Sequence, residues 1–267
     1  MTTQIRLAAL GIVTVVLLAG CGRAGDTENN RGGGAPPVAS QEPEPEVTND
    51  DIVDFLTKAL SRDVAASEAA IGLAAPGSPA QAYATFQHQA TQAFVDAGNA
   101  VGEGAEVTEE DDVVTVCGDS SDEDTCSEIA DVTADGGRIS NLTMGDGSFD
   151  GAVTLGAGQP VKAGELATIR FLSALEVGSG VLFVVVEVRS AEDAVSIGSF
   201  DATYRTPQGR QIGASVEQGT TLIQDLAPKS VANVLLAFPS ATIGGSVTLG
   251  VQNTSFTKEA TARFKTR

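Results

Sequence analysis

The chain has 267 residues, with 16 Lys and Arg against 35 Asp and Glu, one His, three Cys, no Trp and two Tyr, and a formal net charge of -19. So acidic a chain does not hold nucleic acid through clustered cations, which is how phosphate backbones are bound, and a single His excludes His-rich metal sites and His dyads. The length allows one large domain or two ordinary ones beside a processed end.

The first element is apolar. Arg6 gives a short positive start, and Leu7 to Ala19 form a hydrophobic run of 13 residues, shorter than the roughly 20 that a spanning helix needs. It closes on Leu18-Ala19-Gly20-Cys21. That string resembles the lipobox of bacterial lipoproteins; the competing reading is an ordinary secretory signal with a chance Cys. The resemblance implies a signal peptide over 1–20, cleavage before Cys21, a palmitate-type lipid on the Cys21 sulfur, and a mature chain Cys21–Arg267 held at the outer face of the cell membrane. No later run is long and apolar enough to span.

Export permits disulfides. With Cys21 taken by lipid, Cys117 and Cys126 remain as an even pair, and the segment GDSSDEDT between them is short enough to close as a hairpin-like staple. A reactive-thiol reading finds no neighbouring Lys, Arg or His to lower a thiol pKa.

Residues 21–47 are rich in Gly, Pro, Glu and Asn and nearly free of large apolar groups. Such a segment cannot bury enough surface to fold, and it reads as a disordered acidic tether spanning roughly 25–30 Å. Helical signals follow. Thr48 caps a first helix with Asp51 as its box partner, and Ile52, Phe55, Leu56, Ala59 and Leu60 recur at helical spacing. The Ala-rich stretch to Leu73 continues helical, with a break near Ser61 left open. Pro76-Gly77 is a turn, and Ser78-Pro79 starts a second helix. Its face is Tyr83, Phe86, Ala90, Ala93, Phe94 and Ala97, and Gly98 stops it.

After Val107 the period changes to two. Val113, Val114 and Val116 lead to Cys117, and Ile129–Val132, the turn Asp135-Gly136-Gly137 and Ile139–Met144 read as a hairpin. Two helices on a small antiparallel sheet make an acidic α+β unit over 48–147. Residues 148–267 read as all-β, with candidate strands at Ala152–Leu155, Leu166–Ala174, Val181–Arg189, Ser199–Tyr204, Gln211–Val216, Thr220–Leu226, Val231–Phe238, Ser246–Val251 and Ala260–Phe264. Short strands at this spacing predict a β-sandwich. In Val181–Arg189 the residues Val184, Val186 and Val188 share one face, and Glu187 interrupts the other. The predicted fold class is therefore α+β followed by all-β.

Val184-x-Val186-x-Val188, Val195, Phe200, the Gln208-Gly209-Arg210 turn, Leu226-x-Pro228 and Leu236-x-Phe238-Pro239 resemble the telokin-like, immunoglobulin-like domain of secreted actinobacterial proteins. Ala191 and Lys229 stand where that family usually has Asn and Gly. The resemblance implies an immunoglobulin-like sandwich over about the last 100 residues and no general activity. The preceding stretch is similar to a small nuclear-transport-factor-2-like module of actinobacterial lipoproteins, through PGSPAQAY (Pro76 to Tyr83), the Cys117/Cys126 pair and Asp135-Gly136-Gly137-Arg138 before Ile139. Such folds cup a pocket between helices and sheet, although this copy is short.

Candidates for chemistry are few. His88 lies between Gln87 and Gln89, with no acid or Cys at helical contact spacing, and reads as a solvated or half-buried helix residue. Ser255-x-x-Lys258 matches the nucleophile string of penicillin-binding enzymes, but it falls between two β-type segments rather than on a helix. Gly156-Ala157-Gly158 lacks the third Gly and the following helix of a dinucleotide loop. The chain has no G-x-S-x-G, P-loop or H-E-x-x-H, and the expected class is not an enzyme and takes no cofactor. An acidic run from Glu103 to Asp135 carries no Lys or Arg. Asp119, Asp122 and Asp124 are its candidate calcium ligands, but the EF-hand template fails and a solvated acidic face accounts for the run.

The expected function is that of a membrane-anchored envelope lipoprotein that binds an envelope protein or polymer through its sandwich, with no nucleic acid involved. The alternative is a carrier of a small apolar ligand lined by Phe55, Phe86 and Phe94 between the helices and sheet of the first unit, where an ordinary core would use the same residues. Weak calcium binding is a third reading. The charge is not uniform: residues 51–150 hold 20 acids and 3 bases, whereas 151–267 hold 9 acids and 10 bases.

Overall fold

The computed structural model describes residues 46–99, 104–118, 126–178, 180–198, 202–221 and 223–267. The expectations for Cys21, for Asp119, Asp122 and Asp124, and for Phe200 lie outside these residues. All the described residues belong to one compact unit.

Three helices open the described fold: α1 (Asn49–Ala59), α2 (Val64–Leu73) and α3 (Pro79–Asp96). Thr48 caps α1 as expected, its hydroxyl accepting from the Asp51 amide while the Asp51 carboxylate accepts from the Thr48 amide at 2.9 Å. The Thr48 amide and the Thr48 hydroxyl both donate to this carboxylate and hold the Asp51 carboxyl below its ordinary pKa. The two-helix expectation is corrected to three, because Asp63 starts a new helix by accepting from the Ala66 amide. Ser78 caps α3 with Pro79 in its first turn. Gly98, at φ +69°, ends α3 in a left-handed turn, with Gly98 N donating to Val95 O and Asn99 N to Phe94 O; this is the paired C-terminal cap that Gly favours.

The first sheet is an antiparallel meander, β1 (Glu106–Glu110), β2 (Val113–Cys117), β3 (Cys126–Asp135), β4 (Arg138–Met144) and β5 (Gly147–Ser148). Two of its turns are two-residue hairpin loops with both residues at positive φ: Asp111-Asp112, and the expected Gly136-Gly137. The first explains part of the acidic run, since Asp tolerates the left-handed region better than most residues. Asn49 of α1 donates to Glu109 and to the Asp112 carbonyl, fixing that hairpin to the helix. The Cys117–Cys126 disulfide closes β2 onto β3, with an S–S distance of 2.04 Å.

The remaining strands make two further antiparallel sheets. The central one has the order β14 (Val231–Pro239), β9 (Val181–Ser190), β8 (Ala167–Val177), β6 (Val153–Leu155), with β7 (Val161–Ala163) beside β6 on β8. The outer one has the order β12 (Gln211–Gly213), β11 (Ala202–Arg205), β15 (Ser246–Asn253), β10 (Val195–Ile197), β13 (Ile223–Leu226), and β16 (Glu259–Lys265) pairs with the other edge of β15. The short β1, β5, β7 and β10 are absent from the expected strands, whereas the equally short β6, β12 and β13 fall within them.

The central sheet is buried on both faces. Val184, Val186 and Val188, with Val234, Leu236 and Phe238, share a core with the outer sheet. Val185, Leu175 and Leu235 belong instead to the core of the helices and meander. The run VLFVVV in β9 is the composition of a strand with two buried faces. Glu187, which breaks that run, is paired with Arg170 of β8 at 2.9 Å. A bulge at Leu172 exchanges the faces of β8: Ile169 and Phe171 belong to the outer-sheet core, whereas Leu175 belongs to the helical one. Gly156 lies against this bulge, where a Cβ would strike the Phe171 carbonyl, which gives the first Gly of Gly156-Ala157-Gly158 a packing role.

The free edge of β14 is sealed by side chains. Its outward amides at Asn233, Leu235 and Ala237 donate to Asp96 Oδ2, Thr221 Oγ1 and Thr220 Oγ1 at 2.6, 2.9 and 2.8 Å.

Candidate functional site

A mainly apolar concavity lies beside α3. Tyr83, Gln87, Ala90 and Phe94 stand on successive turns of one helix face, at spacings of three and four residues. Opposite them are Leu175 of β8, Phe183 of β9 and Leu235 of β14, and Met144 and Phe149 close one side. The volume is about 500 Å³, within the range of small-molecule sites.

Phe149, directly after β5, brings the end of the meander into the cleft. Its ring stacks on Tyr83 with centroids 3.8 Å apart and an interplanar angle of 12°, and both rings are buried. Burial pushes the Tyr83 phenol up to about 12, against a smaller lowering by its hydrogen bond to Gln87. At neutral pH Tyr83 is therefore a protonated phenol rather than a base. Two polar groups at the rim already have protein partners. Glu176 Oε2 accepts from the Ile243 amide at 2.9 Å, and Ser148 Oγ accepts from Asn141 Nδ2 and from the Asp150 amide, both at 3.2 Å. The arrangement offers an apolar volume with a few orienting dipoles.

Of the three Phe expected to line such a space, Phe86 and Phe94 do. Phe55 is fully buried in the helical core. Tyr83, Phe149 and Met144 were not singled out for it, and Leu175, Phe183 and Leu235 were assigned to the other side of the expected 147/148 boundary. The continuous apolar run of β9 was the signal that its second face needed a partner.

The other candidates are dispersed. His88 is half-buried, with Nδ1 3.3 Å from Ser67 Oγ. Ser255 and Lys258 occupy the β15–β16 loop; Lys258 Nζ lies 2.6 Å from Asp193 Oδ2, which raises its pKa, and Ser255 Oγ accepts from Asn253. The described acids of the run, Glu106, Glu109, Glu110, Asp111, Asp112, Glu128, Asp131 and Asp135, are exposed. Among the described residues there is no group of three or more His, Cys, Asp or Glu placed to hold a metal, and no helix long and apolar enough to cross a membrane.

No family model and no curated protein matches the chain. One solved structure, the crystal structure of a functionally unknown protein from Listeria monocytogenes EGD-e, is similar at 12% identity with a TM-score of 0.28, covering 43% of this chain and 88% of its own.

Proposed function

We propose that this chain is a lipid-anchored extracytoplasmic protein that binds a small, mainly apolar ligand in the cleft beside α3. The observation that carries this reading is the cleft of about 500 Å³, walled by aromatic and aliphatic side chains from helix, meander and central sheet. The lipobox-like Cys21 supplies the anchor, the Gly- and Pro-rich segment the tether, and the two facing β-sheets an immunoglobulin-like sandwich that supports one wall. Filling the cleft tests it. The full chain should bind the uncharged dye N-phenyl-1-naphthylamine, and Ala90→Phe should weaken that binding at least tenfold. Gln218→Trp at the rim should do the same if the helix variant loses its fold. Dye binding unchanged in a folded variant refutes the reading.

A second reading, binding of an envelope protein or polymer through the sandwich, is favoured by Phe256. This side chain is 74% exposed at the tip of the β15–β16 loop, and its backbone sits at φ +54°. Asn253 fixes the loop, donating to Ser255 and Thr257 side chains and accepting from the Thr257 and Lys258 amides. An exposed aromatic held in an unfavourable backbone region is the pattern of a contact residue. A photo-crosslinker at position 256 should capture one partner from the native envelope.

A further inference from the structure

The chain carries more than twice as many acids as bases, so its cations should find carboxylates easily. Lys58, Arg170, Lys229 and Lys258 do, each in an ion pair of 2.6–2.9 Å. Several others have no such pair among the described residues, and three of these stand together. Among the described residues no ion pair reaches Arg205, Arg263 or Lys265, and these three line one groove of about 430 Å³ on the outer sheet.

The register explains how they meet. Arg205 of β11, Ser246 of β15 and Lys265 of β16 lie opposite one another in a single row, continued by Gln211 of β12. Thr203, Thr248 and Arg263 form the next row on the same face. Strands sit about 4.8 Å apart and same-face neighbours about 6.8 Å along a strand, so the three cationic side chains rise from one small area. Neither row contains an acid. The nearest carboxylate on this face of β16 is Glu259, six residues from Lys265 and so about 20 Å along the strand.

Two glycines in close packing lie along the groove. Gly244, at φ +103°, has the Arg267 guanidinium over it, 2.7 Å from where a Cβ would stand, and a Cβ on Gly245 would strike the Arg205 carbonyl. Both glycine amides are already held, Gly244 N by Thr266 Oγ1 at 3.2 Å and Gly245 N by the buried Tyr204 hydroxyl at 2.7 Å. Tyr204 in turn donates to the Thr242 carbonyl at 2.5 Å. Arg263 donates to Ser246 Oγ at 3.1 Å, which settles its guanidinium beside the groove.

We propose that this groove binds a phosphate group. Two guanidinium forks and one ammonium lining one groove from two strands, β11 and β16, suit an anion with several oxygens pointing in different directions, whereas a planar carboxylate is served by one fork. Like-charged groups held together without counter-charges repel, and a multivalent anion relieves that repulsion at all three at once. The same chemistry is offered by free phosphate or a phosphomonoester and by the phosphodiester of a lipid headgroup.

The test titrates the full chain in low salt with inorganic phosphate and, separately, with dihexanoyl phosphatidylglycerol below its micelle concentration, following backbone amides by NMR. Shifts confined to residues 203–206, 244–248 and 263–266, with binding at millimolar concentration or tighter, are expected for at least one probe. Phosphate alone would assign a soluble phosphomonoester source, and the lipid bound more tightly would assign a headgroup. The triple variant R205Q/R263Q/K265Q should weaken binding at least tenfold while the amide spectrum elsewhere stays native. Single R263Q, which leaves the glycine packing intact, is the fallback if the triple variant misfolds, with a loss of about threefold or more. No saturable shift with either probe, or shifts centred elsewhere, overturns the proposal.

Discussion

The meander and the outer sheet solve the problem of a thin core in different ways. The meander pairs short, acid-rich strands that are exposed along much of their length; its order comes from local devices, namely two-residue turns, a disulfide and the Asn49 clamp from α1. The outer sheet has fewer such devices, and gains its order from a dense Val, Leu and Phe interior shared with the central sheet. Burial scales with apolar area and needs no particular solvent condition, whereas carboxylate-rich strands repel one another and depend on salt, pH and redox state. The lesson is that one folded unit can hold two parts with different sensitivities, coupled through a sheet that serves both cores.

The largest expected effect breaks that coupling. Leu235→Ala removes a buried side chain from the helix-facing side of the central sheet and should cost about 2–4 kcal/mol. Calorimetry should show one transition, shifted as a whole; separate transitions with only one shifted would show the two parts to be independent. Next, opening the Cys117–Cys126 link, nine residues apart, should cost about 2.7 kcal/mol on loop-closure entropy. Hydrogen exchange should then rise in β2 and β3 and not in β15.

High pH addresses the cleft wall. Tyr83 titrates at about 12 in the folded chain against an ordinary 10. Its raised value favours the neutral phenol in the fold, so its contribution is intact below pH 10 and is lost as pH rises from 10 towards 12. Linkage gives about 2–3 kcal/mol over that window, and Tyr83→Phe should remove this part of the denaturation profile. The smallest effect is at the α1 cap. Thr48→Ala should cost about 1 kcal/mol. Because hydrogen bonds from Thr48 lower the Asp51 pKa, the cap helps above the usual carboxylate range and fades as pH falls through the lowered value. The variant should therefore show a shallower loss of stability on acidification, measured by circular dichroism.

Capping made the helices legible: Thr48 and Ser78 are read from residue type alone, and so is the Gly98 stop. The Gly136-Gly137 turn and the Cys117–Cys126 pair were equally open to reading, because each depends on a handful of adjacent residues. The cleft was half legible. Phe86 and Phe94 declare themselves by helical period, but their partners Leu175, Phe183 and Leu235 come from strands more than 80 residues away, and only packing brings them together. Asp111-Asp112 is a turn by its left-handed backbone, and in sequence it is one more pair of acids in a charged run. The groove of Arg205, Arg263 and Lys265 depends on strand register, and register is set by the whole sheet rather than by any one segment.

The sealed edge of β14 matters beyond this fold's own stability. A strand with unclaimed amides is a rail along which another chain can lie, and proteins tethered to a surface, as proposed here, meet their own copies at high effective concentration. Asp96, Thr220 and Thr221 occupy the amides that such a neighbour would need. Crowded molecules would have no backbone template for joining sheet to sheet at this edge, and the three side chains act as a safeguard against polymerisation as much as a brace for the strand.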